Sequence, residues 1–115
     1  MTIDYSEIQM VQDIVDDLTA ELKPTDDQFN AVLLSAKVVG AYRDVRFTRG
    51  YPKYYTEEDI EEDMERFYSA VRSVALYDYN TIGIEFQKAN KENQVSREFA
   101  DRDSLFSGVI PLSRT

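Results

Sequence analysis

Residues 56–80 read TEEDIEEDMERFYSAVRSVALYDYN, and the fold class turns on how this stretch is assigned. Thr56 with Asp59 three residues on makes a capping-box-like signature, although Asp is shorter than the usual Glu. Ile60, Met64, Phe67, Tyr68, Val71, Val74 and Ala75 then recur at spacings of three and four, the period of one helical face. The spacing predicts a helix from Glu57 to about Tyr79.

Immediately upstream, RFTRGYPKYYTEED (46–59) contains Gly50 and Pro52, which interrupt helical spacing. Before that break, Phe29, Val32, Leu33, Ala36 and Gly40 form one stripe, which Leu34, Val38, Tyr42 and Val45 widen. So broad an apolar surface predicts a central helix contacted from more than one side. Thr25 is its expected N-cap, with Asp26 and Asp27 in the first turn at the positive end of the helix. Pro24 disfavours helical geometry at Lys23 and so separates this helix from an earlier one. That first helix is expected from Ser6 to Leu22, on the spacing of Ile8, Val11, Val15, Leu18 and Leu22, with Glu7, Asp13, Asp16, Asp17 and Glu21 on its wet side.

Downstream of Gly83 the periodicity fades. QKANKENQ (87–94) reads as a polar connector, and the apolar residues of VSREFADRDSLFSGVIPLSRT (95–115) are too sparse for a core element. The expected architecture is all-α: a small bundle of three main helices over residues 1–83, then a connector and an extended, partner-docking C-terminal tail over 84–115.

The chain's 115 residues suffice for one domain with a modest core. Its 22 acidic and 13 basic residues leave a net charge of −9, which repels nucleic acid and anionic lipid at long range. There is no Cys and no His, which removes the thiolate nucleophile, the disulfide, the usual zinc ligands and the commonest general base. An enzyme is therefore not expected, nor a cofactor. The opening MTIDYSEIQM has no basic segment followed by an apolar one, and no apolar run approaches a membrane span, so residence in the cytosol and no membrane partner are the expectations.

Charge is distributed in blocks. Residues 1–27 hold eight acids and one base and residues 57–65 hold seven acids, while Lys37, Arg43, Arg46, Arg49 and Lys53 face only Asp44 between them. Such blocks are commonly solvated helix faces. The alternative is self-assembly, in which Arg43, Arg46 and Arg49 of one copy meet acids such as Glu58 and Glu62 of the next, a heterologous contact that closes into a ring. Tyr54, Tyr55, Tyr77 and Tyr79 lie near basic residues or helix ends and divide between core edge and subunit interface.

The acids at 57–63 lack the alternating spacing of a calcium loop, so a metal site is not expected. Asp78 sits among aromatics with no second acid placed opposite it, which fits a hydrogen bond to a tyrosine hydroxyl or a backbone amide better than acid/base chemistry. In the tail, Phe99, Leu105, Phe106, Val109, Ile110 and Leu112 are costly to leave in water. Either they fold back on the bundle or they dock on another protein, with GVIPL as an added strand that Pro111 limits; docking is the expectation.

AKVVGAYRDVRFTRGYP (36–52), ALYDYNTIG (75–83) and VSREFADRDSLFSGVIPLSR (95–114) together resemble the small head-tail connector proteins, also called adaptor or head-completion proteins, of tailed bacteriophages that infect Gram-positive bacteria. The similarity runs from about Leu33 to the C-terminus. The family pattern usually continues after Ile82-Gly83 with a small residue, an acid and a glycine, whereas Ile84-Glu85-Phe86 keeps only the acid. The resemblance implies a non-catalytic helical subunit, resident in the virion after assembly in the host cytoplasm. It implies a homo-oligomeric ring, commonly a dodecamer, beneath the portal protein. That ring extends the channel for passing genomic DNA and receives a tail-side stopper or tail completion protein. The tail residues named above would engage the portal. A rival reading of the acidity is a DNA-mimic inhibitor of a host DNA-binding enzyme, against which the basic island at 37–53 argues.

Overall fold

The computed structural model describes residues 4–81 and 102–112, and among them every regular element is helical. Helix α1 spans Gln9–Leu22, α2 Ala31–Arg49, α3 Glu57–Met64 and α4 Tyr68–Asn80, with short 3-10 turns at Tyr5–Glu7 and Glu65–Phe67. The all-α expectation and the three principal helical segments stand; their boundaries shift.

Helix α1 buries Met10, Val11, Ile14 and Leu18, with Ile14 and Leu18 fully enclosed. Val15 and Leu22, expected on the core stripe, are only half-buried beside it. Lys23 keeps helical dihedrals and its amide bonds to the Thr19 carbonyl, so Pro24 does not push it out of the helix. The chain turns over the next residues, and α2 begins later than expected, because Asn30 rather than Thr25 accepts from the Leu33 amide at 3.0 Å. Asp26 lies outside the helix and accepts instead from the Gln28 amide at 2.9 Å.

The buried face of α2 is Leu34, Val38, Ala41, Tyr42, Val45 and Arg49. The residues expected to widen the stripe are therefore its centre, while Val32 is 82% exposed and Gly40 has open space where a Cβ would stand. One side of α2 packs, chiefly on α4 and also on α1. Each Leu or Val so enclosed contributes about 2 kcal/mol relative to exposure. Gly50 ends the helix at φ 67°, the left-handed conformation that a side chain disfavours, with its amide on the Arg46 carbonyl.

Thr56 and Asp59 complete the capping box in both directions, at 3.1 Å each. The single helix expected from Glu57 to Tyr79 is instead divided at Glu65–Phe67, where Phe67 leaves helical dihedrals at φ −104°, ψ 17°. The break falls between Asp63 and Phe67, the two residues that hold Arg49, so a long-range contact accompanies it where no Gly or Pro does.

Residues 102–112 are not a free tail. One helical turn at 102–104 runs into successive turns that end with the Val109 amide on the Phe106 carbonyl at 2.9 Å. Val109 is 5% exposed and belongs to the core, and Leu105 and Phe106 pack against it. Of the two readings of these residues, folding back on the bundle is what Val109, Leu105 and Phe106 show: too sparse for a core element of their own, they join the core of the helices.

Candidate interaction surface

Two arginines tie the C-terminal segment down. Arg102 donates from Nε and Nη2 to the two oxygens of Asp78, at 2.7 and 2.9 Å, and from Nη2 to Asp44 at 2.8 Å, with its guanidinium over the Phe106 ring. Arg49 donates to Asp63 at 2.9 Å and to the Ile110 carbonyl at 2.7 Å, and the Tyr51 hydroxyl donates to the same Asp63 carboxylate at 2.6 Å. Burial would push the Asp63 carboxyl up, but the hydrogen bonds from Arg49 and Tyr51 and the charges of Arg49 and Arg66 outweigh it and hold it below its ordinary value. Burial and the neighbouring Asp63 both push the Tyr51 hydroxyl up. Asp78 thus finds an arginine, not the tyrosine or amide expected of it.

The nine residues expected at a subunit interface separate into two groups. Arg46 is engaged inside the chain by a bidentate pair with Glu57, at 2.9 and 2.6 Å. Arg49 is 7% exposed and spent on Asp63 and Ile110. Tyr79 is buried: its hydroxyl accepts from the Asn30 amide at 3.1 Å and donates to Asp26 at 3.4 Å, clamping the α1–α2 connection to the end of α4. Within one chain Arg46 and Arg49 thus already have carboxylate partners, and Tyr79 lies at the core edge. Tyr77 is half-buried at the same end of α4.

Arg43, Tyr54, Glu58 and Glu62 are exposed, and Tyr55 is half-buried against the core. Arg43 is exposed, lies 5.6 Å from the Tyr5 ring centre and has no carboxylate partner among the described residues. Tyr54 is 75% exposed and stacks on Tyr55 with centroids 5.4 Å apart. In the C-terminal segment Ile110 is 54% exposed, Leu112 is half-buried, and Phe99 lies outside the described residues.

Sequence reasoning missed Phe47, which is 85% exposed on α2. Its position carries the signal: two residues from both Val45 and Arg49, it falls on the side of the helix away from the core face they define. Phe47 stands between two shallow open grooves. One, of about 500 Å³, is lined by Tyr5, Arg43, Tyr51 and Ile60 among others; the other, of about 440 Å³, by Asp44, Arg102 and Phe106 among others. Among the described residues no group of three or more acids gathers as a metal site, and no helix is long and apolar enough to cross a membrane. An apolar knob beside a cation, with aromatic and acidic neighbours elsewhere on the surface, is equipped for protein recognition.

The chain matches no protein-family model, no curated protein and no solved structure.

Proposed function

We propose that this chain is the subunit of a phage head-tail connector: a structural, non-catalytic protein that assembles as a ring beneath the portal, extends the DNA channel and carries the tail or its stopper. One observation carries the reading. The three separated stretches that resemble the connector family are tied together, because Arg102 of the last joins Asp44 of the first and Asp78 of the second, and Arg49 of the first holds the Ile110 carbonyl of the last.

The chemistry of the surface supports the same reading. A net charge of −9 denies the counterion release that drives nucleic-acid binding, so DNA passes such a ring without being held. Ile110, exposed at the end of a segment whose backbone is pinned by Arg49, presents an apolar contact on a fixed support, which lowers the ordering cost of docking on the portal. Ile110→Asp is expected to weaken binding of the full chain to an isolated portal ring at least tenfold while leaving the helical circular dichroism unchanged. Undiminished affinity in that variant would remove the portal-docking assignment.

A further inference from the structure

We propose that the outer face of α2, centred on Phe47 and Arg43, docks on a second copy of this chain, in the groove that Tyr55, Asp59 and Glu62 line on that copy. The proposal names the contact through which the ring would close, and to that extent it rests on the connector reading.

Arg43 singles this face out. Of the arginines described, Arg46, Arg49, Arg66, Arg72 and Arg102 each reach a carboxylate of their own chain within 3.4 Å. Arg43 reaches none among the described residues. One helical turn further on stands Phe47, 85% exposed, so α2 offers an apolar ring and an uncompensated cation as neighbours on one face. Burying the Phe47 ring on a partner is favourable.

The complement is found on the same molecule. Around the start of α3, Glu58 and Glu62 are exposed and have no cationic partner among the described residues, and a groove of about 400 Å³ is lined by Tyr55, Asp59, Glu62, Asp63 and Arg66. Arg66 is paired with Asp63 at 3.4 Å, so three carboxylates against one guanidinium leave the groove acidic. Tyr54, stacked on Tyr55, adds an exposed aromatic surface at its edge. Aromatic rings suit the Phe47 ring, and carboxylates suit a guanidinium, which they bind with paired, charge-assisted hydrogen bonds.

Charge also decides the symmetry. Packing α2 antiparallel on itself about Gly40, which lies midway between Val32 and Phe47, would set Arg43 of each copy near Lys37 of the other. Like charges at a contact are penalised, so the α2 face meets the unlike acidic face and the arrangement repeats head to tail.

The chain contains no cysteine, so Ala36→Cys, exposed on α2 two turns before Arg43, and Glu65→Cys, exposed just beyond Glu62, introduce its only thiols and leave the contact residues in place. With a short bismaleimide, the doubly substituted full chain is expected to give a ladder of covalent multimers. A mixture of the two single variants should give a mixed dimer, and each single variant alone should stay monomeric. Adding Arg43→Glu to the double variant should lower the multimer yield at least fivefold. A missing ladder, or dimers from Ala36→Cys alone, overturns the proposal. A ladder in a chain that adds to no portal ring retires the connector reading and keeps this contact; normal addition to the portal without a ladder does the reverse.

Discussion

Asp63 is the residue on which the most local structure depends, because it accepts from both Arg49 and Tyr51 while Arg66 lies 3.4 Å away. Its carboxyl is held below the ordinary aspartate value, near 3.9 in an unfolded chain. The unfolded state therefore takes up the proton first as pH falls, and the stability that Asp63 confers is complete above about pH 4 to 5 and is lost as pH drops through the folded value. Asp63→Asn should flatten the acid limb of a stability-against-pH curve measured by urea unfolding. At neutral pH it should cost about 3 kcal/mol, since it strands a buried guanidinium. An acid limb identical to that of the parent would show that Asp63 is not the group responsible. None of this pairing was legible in the sequence. Arg49 reads there as one of a basic island and Asp63 as one of seven acids, and only the fold reveals that these residues, fourteen positions apart, are in contact.

At the scale of elements, the decisive association is between residues 102–112 and the bundle. Arg102 joins that segment to Asp44 on α2 and Asp78 on α4, and Val109 is buried in the core. Arg102→Ala removes hydrogen bonds to two charged groups and should destabilise by about 2 kcal/mol. Hydrogen exchange should localise the loss: the Phe106 and Val109 amides, which bond to the Asp103 and Phe106 carbonyls, exchange faster while amides at the centre of α2 keep most of their protection. Uniform loss across both regions would instead mark the segment as inseparable from the global fold. Helical periodicity identified α1, α2 and the α3–α4 region correctly, since it reports which face is apolar. It could not choose between the two apolar stripes of α2. Leu34, Val38 and Val45 are enclosed while Val32, on the stripe with Leu33, Ala36 and Gly40, is 82% exposed, and both stripes have helical spacing. Nor could it find the break before Tyr68, which has no Gly or Pro to announce it.

At the scale of the whole molecule, the net charge is −9, and among the described residues Arg43 and Phe47 set an exposed cation and aromatic ring on α2. Of the interface residues expected from sequence, Arg43, Tyr54, Tyr55, Glu58 and Glu62 are placed where a neighbour can reach them; Arg46, Arg49 and Tyr79 are occupied within the chain. Burial and pairing draw that division, and neither is written in residue type or spacing. The central claim is that many copies of this chain add to a portal ring. It is tested most directly by the mass of the purified full chain with and without that ring, by light scattering coupled to size exclusion at low and moderate salt. The expected result is a stoichiometric gain of many copies per portal, near twelve. A portal whose mass is unchanged by excess chain at both salt concentrations would contradict it.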